Sequence, residues 1–464
     1  MFLDIDKKSK DTLAAIDSKG QQISYSELVE FSTVFNEVIG KRTLIFILSE
    51  NTVGSLAGYV ASISSKIVPL IVDAAIDSTS LLKLITIYNP EYLWVPKSCS
   101  LNGKVDHYDV KFDFLDFKLL RLFYNTPVVY KDLSLLLSTS GSTGSPKLVR
   151  HSYSNLEQNA RNVAEFFQLS VKDKPVAMLP MNYTMGLSVI TSHLFAGATV
   201  LLTTQSLTDK EFWNFIRKNS ATSFTGVPFS FEILSKLRFF KMDLPSLELL
   251  SQGGGKMSKQ LFADFSTFAK KNNKRFIATY GQTEGTARMS YLAPEDAIQK
   301  IGSIGKPIPN GKFYLIDTEA KIIEESNISG ELVYEGPNVT LGYANSLDDL
   351  KKGDEREGIL KTGDIAMRDE DGFYYIMGRK SRFLKIYGLR LSLDEIENLI
   401  RSEFEVNCHC SGDDDLLKVF LTETSIAPLV SKYIVEKFGL FHKAFKITIL
   451  EEIPRNNYGK VVLN

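Results

Sequence analysis

A chain of 464 residues, 44% hydrophobic and 23% charged, can bury a sizeable core and is long enough for about two or three domains. Lys plus Arg number 54 against 55 Asp plus Glu, and the resulting net charge of −1 excludes bulk attraction to nucleic acid. Three cysteines exclude a disulfide framework and read as a reducing, cytoplasmic compartment.

Residues 1–10 mix three lysines and two aspartates with no apolar stretch long enough for a signal peptide, so secretion is not expected. Apolar β-type runs at 44–48, 68–72 and 177–179 alternate with amphipathic helical stretches, a pattern that predicts parallel sheets flanked by helices. The window 185–202 approaches membrane-spanning length but contains Ser188, Thr191, Ser192, His193 and Gly197. It reads as a buried helix ended by Gly197 and followed by a strand over 198–203. From Gly311 the texture changes to short strands at 312–317, 330–334 and 373–377, a small β subdomain. Beyond Arg379 a helix begins at Asp394, and β-type runs at 418–421 and 444–449 complete a compact cap. Cys408-His409-Cys410 reads as alternation along a strand rather than a metal cluster, since no second ligand pair lies nearby.

The densest chemical signal is residues 137–147, Leu-Ser-Thr-Ser-Gly-Ser-Thr-Gly-Ser-Pro-Lys, directly after an apolar run. Gly141 and Gly144 let successive N–H groups converge on an anion, while Ser138, Thr139, Ser140, Ser142 and Thr143 add hydroxyl donors and Lys147 a fixed cation. The expected ligand is a nucleoside triphosphate. The segment is not a Walker A loop: the two glycines are too close together, Pro146 precedes the lysine, and Leu148 occupies the position of the metal-binding hydroxyl. Taken alone, the composition also fits a flexible Gly/Ser linker.

Four further segments bear on that choice. They are Thr279-Tyr-Gly-Gln-Thr-Glu-Gly, Lys361-Thr-Gly-Asp, Gly378-Arg-Lys-Ser-Arg-Phe-Leu-Lys-Ile-Tyr-Gly-Leu-Arg, and Pro454-Arg-Asn-Asn-Tyr-Gly-Lys. With the Ser/Gly loop they resemble, in order, the motifs of the adenylate-forming superfamily of acyl-CoA synthetases, luciferases and nonribosomal peptide adenylation domains. The resemblance covers nearly the whole chain. It implies an α/β fold: a large N-terminal AMP-binding domain, 1–378, of two helix-flanked β-sheets plus a β subdomain at about 311–378. A hinge at 379–382 and a small mobile α+β C-terminal cap domain, 383–464, would follow.

The same resemblance assigns roles. Glu284 would hold Mg²⁺ and Thr283 contact the α-phosphate, beside Gly281; read from the residues alone, Glu284 could be a carboxylate at a helix start. Tyr280 would stack on adenine, and Gly253, Gly254 and Gly255 would pass along the adenine face, where otherwise they are a turn. Asp364 and Arg379 would bind the ribose, although Asp364 could equally cap a turn. Lys460 would bridge the carboxylate and α-phosphate oxygens as the adenylation catalyst; without the resemblance it is a solvated charge. Family members reorient the cap so that a thiol reaches the acyl adenylate. Gly388 and Lys385 would line the thiol tunnel, with Arg390 in the same segment, although Lys385 could equally be a surface charge; Ser381 stands at the hinge where aspartate or lysine is usual.

For the acid pocket, Asn182 and Tyr183 replace the family's aromatic-histidine pair, and Thr184 falls where amino-acid-activating members keep an aspartate. An α-amino acid is therefore disfavoured. Asn182, Tyr183, Thr184, Phe224, Val227, Pro228 and Thr286 are expected to line a mixed apolar pocket for a small or medium acyl group or an aryl acid.

The implied activity is a Mg·ATP-dependent acid:thiol ligase that forms an acyl adenylate, releases pyrophosphate and acylates coenzyme A. The alternative acceptor is a carrier-protein phosphopantetheine, supplied from outside because no carrier domain follows Asn464. A non-catalytic nucleotide-binding relative is suggested by Ser381 and by the four residues that follow Lys460. An amidase-type hydrolase using the Ser/Gly loop is disfavoured by the downstream motifs.

Overall fold

The computed structural model describes residues 1–99, 105, 107–124, 128–138, 147–386, 389–413, 416–455 and 461–463, with backbone alone at Phe383, Lys385, Leu389 and Arg390. The chain divides into two compact units. One comprises Met1–Lys312 and Glu335–Leu360, the other Phe313–Tyr334 and Lys361–Asn464.

The first unit is built on two large sheets. In the nine-stranded sheet, Arg275–Tyr280, Leu249–Gln252, Ser223–Gly226, Pro175–Ala177, Val200–Leu202 and Leu13–Asp17 run parallel in that order, and antiparallel strands close both edges. The eight-stranded sheet has a parallel centre of Leu133–Ser138, Val68–Asp73, Leu44–Ser49 and Tyr92–Pro96, again with antiparallel flanks.

Helices Tyr25–Ile39, Val53–Ser64, Tyr153–Phe167 and Thr184–Ala196 share one apolar core with residues from both sheets, such as Ile45, Trp94, Leu135, Ala177 and Leu202. A helix covered on all sides has to be apolar all round rather than striped. Val53–Ser64 and Thr184–Ala196 are such helices, buried at residues 53–63 and 184–194. This explains the long apolar window at 185–202. The helix ends where Gly197 takes φ 78°, and the strand Val200–Leu202 follows. Among the described residues no helix is long and apolar enough to cross a membrane.

The second unit holds a five-stranded sheet ordered Ile322–Ile323, Lys312–Ile316, Ser329–Glu335, Ile359–Arg368 and Tyr374–Arg379. Its C-terminal part carries helices Leu393–Phe404 and Ala427–Phe438 on the strands Cys408–Gly412, Leu417–Leu421 and Phe445–Ile449. Cys408 and Cys410 are buried and unbridged on one strand face, with Sγ atoms 3.9 Å apart. His409 points the other way, its Nδ1 3.0 Å from Glu397.

Trp94 anchors the aromatic part of the central core. Its ring stacks on Phe117 at 5.5 Å, touches Phe31, Phe35 and Phe112 at 5.7 Å, and its Nε1 donates to the Gly54 carbonyl at 2.9 Å. Trp94→Ala removes this packing and leaves a cavity. We expect a loss of about 3–5 kcal/mol in urea unfolding; a midpoint equal to wild type would show that the cluster contributes no net stability.

Candidate active site

The Ser/Gly loop connects two antiparallel strands. Ser138 ends Leu133–Ser138 and pairs with Leu148, the first residue of Leu148–Ser152. In a Walker A loop a helix follows at once; here the helix Tyr153–Phe167 begins only after the second strand, on the Ser152 N-cap. Of the loop residues singled out in the sequence, Thr139, Ser140, Gly141, Ser142, Thr143 and Gly144 lie outside the described residues.

Lys147 sits at the exit of that hairpin with its Nζ 3.6 Å above the Tyr343 ring. Tyr343 belongs to Gly342–Ala344, which extends the sheet by pairing with Leu148–Ser152, Tyr343 opposite Val149. The fully buried Arg150 holds this edge by donating to the Tyr343 carbonyl at 3.0 Å and pairing with Glu355 at 2.5 Å. The Arg356 guanidinium lies 4.6 Å from the same ring, and the Tyr343 hydroxyl donates to Glu284 Oε1 at 2.7 Å. Burial and the Glu284 carboxylate push the phenol up to about 12, so Tyr343 stays a donor. The Glu284 carbonyl is held by the Thr340 N–H and hydroxyl, each at 3.0 Å. Two cations, a tyrosine and a carboxylate thus converge beside the loop.

Glu284 lies in a three-residue 3₁₀ turn, Thr283–Gly285, that follows the strand Arg275–Tyr280, so the helix-start alternative does not hold. A Cβ on Gly281 would stand 1.5 Å from the Ala287 carbonyl oxygen, so glycine is required for the segment to fold back on itself. Thr286 and Ala287 both take positive φ, 50° and 77°. Asn338 pins them: its Nδ2 donates to the Gly285 carbonyl at 2.6 Å and its carbonyl accepts the Thr286 hydroxyl at 2.7 Å.

Several expected pocket residues come together around this turn. Thr184, first residue of its helix, donates to the Thr283 hydroxyl at 2.8 Å. Gly254 has φ 77°, and a Cβ there would meet the Tyr183 hydroxyl at 2.4 Å and Val227 at 3.2 Å. Gly253 lies against Thr279 and Gly255 against Pro228. Phe224 points toward the helix Pro228–Lys236, edge-on to Phe231 at 5.9 Å. Asn182 is buried, and Tyr280 ends its strand half-buried. A small cavity of about 20 Å³, room for roughly one water, is lined by His151, Asn159, Thr184, Ser188 and Thr286 among others.

In the second unit, Asp364 and Arg379 stand directly opposite each other on paired strands, their charges 3.2 Å apart. Asp364 is buried in strand Ile359–Arg368, so it is not a turn cap. Ser381 is exposed in the turn Lys380–Arg382, next to Arg382, which pairs with Asp394 at 2.6 Å and Glu397 at 2.5 Å. Gly388 and Lys460, and the side chain of Lys385, lie outside the described residues.

Tyr343, Arg356, Asn338, His151 and Arg288 are additions to the set read from the sequence. None carries a local pattern; their contacts join positions more than fifty residues apart or oppose charge to ring across strands. Arg288 alone left a trace, a lone cation in the apolar stretch 286–292.

The Thr286 hydroxyl gives its proton to Asn338, so His151 Nδ1 donates to Thr286 Oγ1 at 3.3 Å and Nε2 presents a lone pair. Burial, reinforced by the Arg356 charge, pushes the His151 imidazole down to about 3, and burial likewise holds His193 at about 4. Between the unfolded value of about 6.5 and these folded values, the unfolded chain binds more protons, so stability falls as pH is lowered through that window. Urea unfolding from pH 7 to 4 should show this loss, and His151→Gln should flatten it by up to about 1.4 kcal/mol per pH unit. An unchanged slope would contradict a neutral buried His151.

A family model described as AMP-binding enzyme matches residues 4–344. The chain is 31% identical to oxalate–CoA ligase from Arabidopsis thaliana over 60% of its own length and 54% of the relative's. It is 28% identical to 2-succinylbenzoate–CoA ligase from Oceanobacillus iheyensis over 72% and 69%. The chain thus spans between about half and about two thirds of the length of these curated relatives. The fold matches O-succinylbenzoate coenzyme A synthetase from Bacillus subtilis, solved with ATP and magnesium, with TM-score 0.79 at 20% identity over 99% of this chain and 97% of the other. Because the family model covers well over half of the sequence, the chain belongs to the AMP-binding enzyme family.

Proposed function

We propose that the chain is an ATP-dependent carboxylic acid:thiol ligase. The observation that carries this reading is the convergence of Lys147, Thr283, Glu284 and Thr184 between the Ser/Gly hairpin and a cavity. A carboxylate oxygen of the acid attacks the α-phosphorus of ATP, the bond to the β-phosphate oxygen breaks, and pyrophosphate leaves. A thiolate then attacks the acyl carbon and AMP leaves with the C–O bond electrons. Coenzyme A is the proposed acceptor, with carrier-protein phosphopantetheine as the alternative.

The first step joins two anions, so the site has to supply positive charge. Lys147 lies beside the proposed phosphate loop, and Ser138 with residues 139–144 would supply donors. Lys460 would bridge the reacting oxygens. Glu284 suits Mg²⁺, because this ion is usually held by one or two carboxylates together with substrate phosphates. Bound there, Mg²⁺ would offset phosphate charge. Tyr343 orients Glu284 through its hydroxyl, and Thr283 would face the α-phosphate. Tyr280 and the 253–255 run would take the adenine; Asp364 and Arg379 already form the carboxylate–guanidinium pair that two vicinal ribose hydroxyls require. A hinge at 379–382, with Ser381 as pivot, would precede a mobile cap whose Lys385 and Gly388 line the thiol's path. A reducing cytoplasm suits three cysteines that form no disulfide.

The test is ATP–pyrophosphate exchange across aryl, short-chain and medium-chain acids and amino acids, with coenzyme A omitted. We expect exchange with at least one non-amino acid, and a loss on the order of a hundredfold in Lys460→Ala and in Glu284→Gln. ATP binding without exchange for any acid would mark a non-catalytic nucleotide binder instead. Ser381→Pro should leave exchange intact and slow acyl-thioester formation; equal loss in both steps would remove Ser381 as pivot.

A further inference from the structure

The short turn Lys380–Arg382 is anchored differently on its two sides. Before it, Arg379 ends the strand Tyr374–Arg379, paired in the ladder with Asp364, and Lys380 reaches Glu331 on the strand Ser329–Glu335 at 2.8 Å. The Lys380 pair is solvent-exposed and contributes little, so the ladder holds that side. After the turn, Arg382 is tied to the helix Leu393–Phe404 through Asp394 at 2.6 Å and Glu397 at 2.5 Å. Glu397 also accepts the Cys410 N–H at 2.7 Å and faces His409 at 3.0 Å and Arg401 at 3.3 Å, so this second anchor is built into the cap. Ser381, between the two anchors, is exposed.

A hydrogen bond also crosses the turn. Asp394 accepts from Arg382 Nε with Oδ1 and, with Oδ2, from the backbone N–H of Arg379 at 3.2 Å. The same carboxylate therefore holds a residue on each side of Ser381. Rotation about the Ser381 backbone carries Arg382, Asp394 and Glu397 together and leaves Arg379 behind, so the Arg382 pairs persist while the Arg379 bond breaks. We propose that Asp394 is a positioning residue whose bond to the Arg379 N–H holds one of the two cap orientations that the ligase reaction requires, with Ser381 as the pivot. This rests on the ligase reading above. A bond made in one orientation only shifts the equilibrium between orientations by its own free energy. Its loss weakens the half-reaction carried out in that orientation and favours the other, an outcome that general destabilisation of the cap does not produce.

The test measures two rates, ATP–pyrophosphate exchange without coenzyme A and acyl transfer from preformed adenylate to coenzyme A, in wild type, Asp394→Ala, Asp394→Asn and Arg382→Met. We expect Asp394→Ala to change the ratio of the two rates by about tenfold or more, the size of a hydrogen bond to a charged acceptor. Asp394→Asn keeps an acceptor for the Arg379 N–H and should restore most of the ratio. Arg382→Met removes contacts on the cap side alone; it should lower Tm and leave the ratio at its wild-type value. Equal loss of both rates in Asp394→Ala, or a ratio shifted as far by Arg382→Met, overturns the proposal and leaves the ligase reading standing. Energy transfer between fluorophores at the exposed positions Lys321 and Lys443 reads the cap orientation without catalysis. A changed efficiency in Asp394→Ala, with no exchange for any acid, supports the Asp394 bond and overturns the ligase reading. An unchanged efficiency overturns the Asp394 proposal, and exchange by the same protein would leave the ligase reading standing.

Discussion

Tyr343 is the contact on which the candidate site depends. Its backbone closes the edge of the eight-stranded sheet against Leu148–Ser152, its ring faces Lys147, and its hydroxyl fixes one oxygen of Glu284. A single side chain thereby relates the end of the Ser/Gly hairpin to a turn about 140 residues later in the sequence, using a ring face and a donor that do not compete. Arg150 and Glu355 secure the strand that carries it. Without that edge strand, Lys147 and Glu284 would have no shared reference.

The turn at 281–287 is held in an unfavourable backbone shape by its neighbours. Positive φ at two successive non-glycine residues typically costs on the order of 1–3 kcal/mol each. Asn338 offsets this by engaging three groups, the Gly285 carbonyl, the Thr286 hydroxyl and, at 3.3 Å, the Arg288 carbonyl. The result presents Thr283 and Glu284 toward one side and Thr286 toward His151.

Much of this architecture was readable from local sequence. Apolar runs marked the strands, and Gly197 marked the end of the buried helix because no other residue takes that conformation so readily. The motif around Glu284 was legible because a close backbone approach demands Gly281. What escaped was set by tertiary packing. Residues 1–10 carried no helical or strand pattern, yet Phe2, Leu3 and Ile5 are buried, with Phe2 edge-on to Tyr59 at 5.8 Å. His151 looked like any strand residue until burial and Thr286 defined its tautomer. Tyr343 and Asn338 act only through partners distant in sequence, and spacing does not encode such contacts.

The pairing of Asp364 with Arg379 has a further dependency. Along these two strands the register steps between Ile365 and Ala366, leaving Met377 as an extra residue. A regular ladder continuing from Ala366 opposite Ile376 would bring Gly378, not Arg379, opposite Asp364. The bulge therefore decides which residue type faces the carboxylate. A one-residue slip of the ladder beyond Ala366 would change that facing residue too, so the ion pair depends on the register and the bulge together.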